Sequence, residues 1–280
     1  MKSRLTQTLD NMNTHSELSN LIFLDRSFEK VVAQIHQAHT KQFAFAWLLN
    51  ELAHKALFDA KINRQDPQHL LLATLEHRAL TSYQSVVLLV ERGLPHEARA
   101  VLRTLLEVTF RTVAIANNKD IGLAYILEDE RHRIKLINKY KMLSKEVRTQ
   151  ASKAMLNELK STIETKIKDQ GIKKLKTQWF AQRAGLEDLY HSAYSVLSEA
   201  VHVNSKSLES ALNLDDDETL VSLNYFPSDN YLDKHIYTAA EALLLSLRAV
   251  HLIIETKFAK DNDQLHKEFK SKHAVSGDGI

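Results

Sequence analysis

The sequence predicts an all-α protein: a single domain built as a bundle of about seven long helices. Three observations carry this. Only six glycines and three prolines occur in 280 residues, where average usage gives about 34 of the two together. Sheet-rich folds need a turn every dozen residues or so, and turns draw on those two residues. Apolar residues also recur at helical spacing, and the scarce prolines and glycines fall between the apolar runs.

Taken in order, the first helix is expected from Ser27 to Ile62, on Val31, Val32, Ile35, Phe45, Leu48, Leu49, Leu52 and Leu57. Pro67 opens a second, reaching Arg92, because proline is tolerated in a first helical turn. Gly93-Leu94-Pro95 is a stop-and-restart signal. The third helix, Pro95 to Asn117, places Val101, Leu102, Leu105, Leu106, Val108 and Val113 on one half of its cylinder. A fourth, Asp120 to Val147, and a fifth, Arg148 to Lys168, form a hairpin. Gly171 opens a connector to Trp179, and Gly185 precedes a sixth helix reaching Val203. Asn213 to Asn230 is one long loop containing a short β-like run, Leu220 to Phe226. Tyr231 to Phe258 forms the last helix. The domain thus spans 27–258, with a lead-in at 1–26 and a flexible polar tail at 259–280.

Composition excludes several classes of function. With no cysteine, disulfides, thiolate zinc sites and cysteine nucleophiles are all ruled out. Glycine-rich phosphate loops and nucleophile elbows are absent, and no cofactor is expected. No stretch approaches eighteen consecutive apolar residues, so no membrane partner is expected. The polar start lacks an apolar signal core, which points to a cytoplasmic protein.

A net charge of +2 conceals a strong asymmetry. Arg131 to Arg183 holds 15 Lys or Arg against 4 Asp or Glu, and Ala184 to Glu241 holds 11 acids against Lys206 and Lys234. A basic hairpin carrying Lys135 and Lys139 is the footprint expected of an RNA-binding surface. The plain alternative is a solvated hairpin whose charges are balanced by the neighbouring acidic helix or a second subunit.

Two constellations could carry chemistry. Arg99, Arg103, Glu107 and Arg111 step down the polar side of the third helix at intervals of four, so Glu107 can pair with either flanking arginine. The plain alternative is a solvated salt-bridge ladder. Tyr190, Tyr194, Ser198 and His202 recur at the same interval on the sixth helix. Members four apart drift about 40° around the axis, so neighbours touch while the ends diverge. Of these side chains only histidine titrates near pH 7 unaided; a histidine capping its helix is the plain alternative. A di-metal bundle is a further alternative, because Glu51/His54 and Glu199/His202 have Glu-x-x-His spacing and Glu107 could complete the set.

The stretch Ser82 to Asn117, with Gly93, Glu97, Ala98, Arg103 and Glu107, combines with the series Trp179, Tyr190, Tyr194, Ser198 and His202. Together they resemble a family of bacterial helical proteins of unknown function, over about Leu70 to Leu208. The resemblance implies that Arg103, Glu107, Ser198 and His202 meet in one site. That family is in turn distantly similar to the HEPN-like bundles of toxins and phage-defence systems, many of them metal-independent ribonucleases. Those enzymes share an arginine followed four to six residues later by histidine. Here Arg64 and His69 match, and they straddle Pro67.

The expectation that follows is an RNA-directed effector or toxin. His202 would act as general base or acid at a ribose 2′-hydroxyl, and Arg103 would stabilise the developing phosphorane. Glu107 would orient Arg103, with Ser198 and Tyr194 positioning the phosphate. Arg99, Arg111, Tyr190, Lys135 and Lys139 would bind. A homodimer and a regulatory partner protein are expected beside it, and a non-catalytic helical binding module is the competing expectation.

Overall fold

In a computed structural model the described residues are 23–25, 28–144, 153–200, 212–215, 219–223 and 227–273. They form an all-α single body. Its helices are α1 (Glu29–Ala38), α2 (Thr40–Asp59), α3 (Pro67–Glu91), α4 (Pro95–Asn117), α5 (Lys119–Met142), α6 (Lys153–Asp169) and α7 (Thr177–Ala184), followed by the composite α8 (187–200). A two-stranded hairpin, β1 (Leu212–Leu214) and β2 (Leu220–Leu223), precedes α9 (Leu232–His251) and α10 (Ala259–His273).

The punctuation acts where the sequence places it. Asp66 caps α3, its carboxylate accepting from the Gln68 amide at 2.8 Å, with Pro67 in the first turn. Asn118 caps α5 in the same way. Gly93 has φ +71°, and a Cβ there would lie 2.4 Å from the Pro227 Cβ. Only glycine lets the α3–α4 corner sit against that segment, where its carbonyl accepts from the Ser228 amide.

The hub is α4, which packs against α3, α9, α7, α8 and α5. Leu102, Leu105, Leu106, Phe110 and Ile115 are all buried. On α9 the small residues Ala239, Ala240 and Ala242 are fully buried and let the two helices approach closely. The buried Thr109 hydroxyl donates to the Ala242 carbonyl at 3.0 Å and accepts from Ser246, so no hydroxyl at that contact is orphaned. Away from this core, α5 and α6 pair as a hairpin with a small cluster of their own: Ile137, Leu156 and Ile163.

Four expectations need correction. The helix expected over 27–62 is broken at His39, whose ring nitrogens contact Asp229 at 3.0 Å and Asp233 at 2.9 Å. A side chain turned toward partners 190 and more residues away leaves the backbone there non-helical (φ −123°, ψ 35°). The connector after Gly171 contains α7, ended by Gly185 in the left-handed conformation. The last long helix stops at His251 rather than Phe258. Most of the expected tail is α10, held by Phe269, which is buried and stacks on Phe45 at 5.6 Å, and by the Lys270–Glu241 ion pair. The β-like run pairs as β2 with β1, antiparallel.

Candidate functional site

The polar side of α4 faces protein rather than solvent, because α8 lies across it. Arg103 donates from Nε to the Ser198 hydroxyl (3.2 Å) and from Nη2 to the Tyr194 hydroxyl (2.8 Å) and the Glu107 carboxylate (3.0 Å). Tyr194 in turn donates to Glu107 Oε1 at 2.8 Å. Arg111 reaches the other carboxylate oxygen at 3.4 Å and the Glu107 carbonyl at 2.8 Å. The side chains of Arg103, Glu107 and Arg111 are only 29%, 21% and 20% exposed, so a solvated ladder does not describe them.

Aromatic rings wall this network. Tyr194 lies edge-on to Phe110 and stacked on Tyr190 at 5.0 Å, with the Arg103 guanidinium 5.0 Å from its ring centroid. The Arg111 guanidinium sits 5.3 Å from the Phe180 ring and 5.8 Å from Tyr125. Its Nε is buried without a hydrogen-bond partner. Burial raises the Tyr194 pKa, its hydrogen bond to Glu107 raises it further, and a hydrogen bond with Thr177 opposes both. The phenol therefore stays protonated and donating at neutral pH.

The spacing of four along α8 works because the helix is not uniform. Residues Tyr190–Tyr194 form a π-turn, in which the Ser195 amide bonds to the Tyr190 carbonyl, five residues back. Three serine hydroxyls accompany the distortion. Ser192, Ser195 and Ser198 turn their hydroxyls onto the carbonyls of Asp188, Tyr190 and Tyr194, competing with the regular ladder. A wider turn steps each residue through less than the α-helical 100°, which opposes the drift of residues four apart. Tyr190, Tyr194 and Ser198 consequently share the face turned to α4.

The structure thus joins Arg103, Glu107, Arg111, Tyr194 and Ser198, with Tyr190 stacked behind. Arg99 stands one turn along α4 and lines a neighbouring cavity instead. Lys135 and Lys139 are exposed on the α5–α6 hairpin, and no hydrogen bond or ion pair among the described residues ties them to the cluster. His202 lies outside the described residues. Trp179 does not enter the network; it packs on Phe180 and under the Arg183 guanidinium. Thr177 was not singled out by the sequence. The one available signal was its place two residues before Trp179.

The di-metal arrangement loses one of its two pairs. Glu51 and His54 are exposed on α2, where Glu51 pairs with Lys55 and His54 packs on Phe58, because α2 turns Leu49, Ala53 and Ala56 inward instead. Arg64 and His69 occupy the α2–α3 corner, with His69 accepting from the Asn63 amide at 3.3 Å.

Among the described residues two arginines therefore share one carboxylate, and Arg103, Glu107 and Arg111 together keep one positive charge. Among the described residues Arg103 Nη1 has no hydrogen-bond partner. Such a group suits an oxyanion, for which a guanidinium offers planar, forked donors. No helix among the described residues is long and apolar enough to cross a membrane. No curated protein and no solved structure matches the chain. A family profile does match residues 69–219, which contain α4, α8 and the whole Arg103 cluster, and the chain belongs to that family, the family of unknown function DUF5677.

Proposed function

We propose that this protein is a cytoplasmic effector of the HEPN-like type that acts on RNA, with the Arg103 cluster as its phosphodiester site. The observation that carries this is the sharing of Glu107 by Arg103 and Arg111, which leaves a half-buried, orientated arginine with surplus positive charge. Arg103 contacts the scissile phosphate and stabilises charge developing on it. Glu107 and Tyr194 fix the guanidinium, and Ser198 holds its Nε. His202 is the general base or acid at the 2′-hydroxyl, and no metal takes part. The basic α5–α6 hairpin, with Lys135 and Lys139, holds the RNA backbone, so affinity falls steeply with salt. A homodimer under a regulatory partner, serving in phage defence, completes the proposal.

A second reading has its own support. The Tyr194 hydroxyl is committed to Glu107 and Arg103, and Ser198 to a backbone carbonyl, so neither is poised as a nucleophile. On that reading the protein is a non-catalytic helical module that binds an anionic ligand. Expression of wild type, Arg103→Lys and His202→Ala in cells, with growth and total RNA followed, separates the two. RNA cleavage lost in both folded variants supports the effector. Intact RNA and normal growth with wild type sink it.

A further inference from the structure

Beside the Arg103 cluster is a cavity of about 240 Å³ between α4, α8 and α9. Its walls are Leu102 and Leu197, its rim carries Arg99 and Lys234, and His235 and Tyr231 close the α9 side. We infer that this cavity is a subsite for the base of a nucleotide whose phosphate lies on the arginine face of α4. The inference rests on the phosphate reading above and names what that phosphate is attached to.

Size gives the first argument. Sites for drug-sized ligands run from about 300 Å³ upward, so this cavity suits a single small ring system. Chemistry gives the second. A purely apolar ligand would not call for two cations at the rim, and a bare anion would not call for a leucine wall. A nucleotide needs both, with the cations meeting phosphate and the apolar wall meeting a ring face.

His235 gives the third. It is 6% exposed, and its Nδ1 is buried with no hydrogen-bond partner, the kind of polar atom that folded proteins rarely leave unmatched. Burial, with the nearby charges of Arg99 and His96, pushes its pKa down to about 4. The imidazole is therefore neutral at pH 7, and its unpartnered Nδ1 offers the edge of a nucleobase one hydrogen bond, as donor or acceptor according to the tautomer.

Tyr231 gives the fourth. Among the described residues it is the one non-glycine with positive φ, at 61°, an uncommon conformation for a bulky side chain. It leaves the ring 65% exposed at the cavity mouth, 6.0 Å from the Lys234 ammonium. An exposed aromatic ring beside cations is the usual platform for stacking a base. Arg99 is one helical turn from Arg103, so one ligand can span the two positions.

The test titrates the full-length protein with the four nucleoside 5′-monophosphates, ribose 5-phosphate and the free nucleosides, by calorimetry. Loss of His235 could damage the fold, so the decisive variant is Val196→Trp. Val196 lines the cavity but is 42% exposed, so the new ring can fill the space without repacking the core. At least one nucleotide should bind about five-fold or more tighter than ribose 5-phosphate, the low end of what one stacked base contributes. Val196→Trp should erase that difference and leave ribose 5-phosphate binding unchanged. Equal binding of nucleotides and ribose 5-phosphate, or a preference that survives Val196→Trp, overturns the subsite while the phosphate reading stands. If neither phosphate compound binds, the phosphate reading fails, and the nucleosides decide the cavity alone. Nucleoside binding lost in Val196→Trp retains it, and no nucleoside binding removes it.

Discussion

Replacing Glu107 by glutamine separates the two jobs its carboxylate performs. Glutamine keeps the shape and one acceptor oxygen, yet removes the charge that Arg103 meets at 3.0 Å and Arg111 at 3.4 Å, and that accepts from Tyr194 at 2.8 Å. A hydrogen bond to a charged group contributes about 1.5–3 kcal/mol when shielded, while fully exposed pairs contribute about 0.2–1 kcal/mol. With these side chains 20–29% exposed, the three contacts together should lose about 2 kcal/mol after discounting for solvent. For a chain of this length that is a fall in Tm of roughly 4–7 °C, measured by calorimetry. The same change leaves two arginines uncompensated. Affinity for a short RNA should therefore rise about 1.5- to 5-fold at low ionic strength and converge with wild type as salt increases. Lower stability with tighter binding is the signature. A Tm within about 1 °C of wild type would mean a solvated ladder after all. Reduced stability with weaker RNA binding would refute the surplus-charge argument.

Three further outcomes follow from buried groups and tight contacts. Gly93→Ala must place a Cβ 2.4 Å from the Pro227 Cβ at a φ of +71°, so thermal unfolding should show a loss of about 3 kcal/mol, from backbone strain plus overpacking. His235 titrates near 4 in the folded state and about 6.5 unfolded, so the unfolded chain takes up its proton first. The stability it supports is complete above pH 6.5 and drains away as pH falls toward 4, by up to about 3 kcal/mol. Denaturant titrations across that window should show this slope, and it should flatten in a folded His235→Asn protein. At the alkaline end, burial raises the pKa values of Tyr83, Tyr194 and Tyr237. Their protonated forms belong to the folded state, so stability should drop as pH rises past about 10, where the unfolded tyrosines ionise first. Tyr83→Phe should make that drop shallower.

Local signals account for the helix map wherever proline, glycine or a capping side chain ends an apolar run. The start of α3 at Pro67, the α3–α4 corner and the whole of α4 were legible for that reason. What escaped was decided across the fold. The break at His39 is set by Asp229 and Asp233, nearly 200 residues away. α10 turns few large apolar side chains inward, chiefly Leu265 and Phe269, so its period was too sparse to separate from a polar tail. On spacing alone Arg103 and Glu107 read first as a surface ladder rather than a site. Only the seating of α8 across α4 decides between them, and that depends on the pairing of Tyr194 and Ser198 with Arg103.

The π-turn at Tyr190–Tyr194 also gives the site an unusual kind of vulnerability. Such a turn holds one residue more than the α-helix it interrupts, so the alignment of α8 on α4 is kept by a count as much as by chemistry. Deleting a single residue from this turn would let the helix close into regular geometry. Everything after it would swing by about 100°, carrying Ser198 away from Arg103 while every side chain of the cluster remained in the chain.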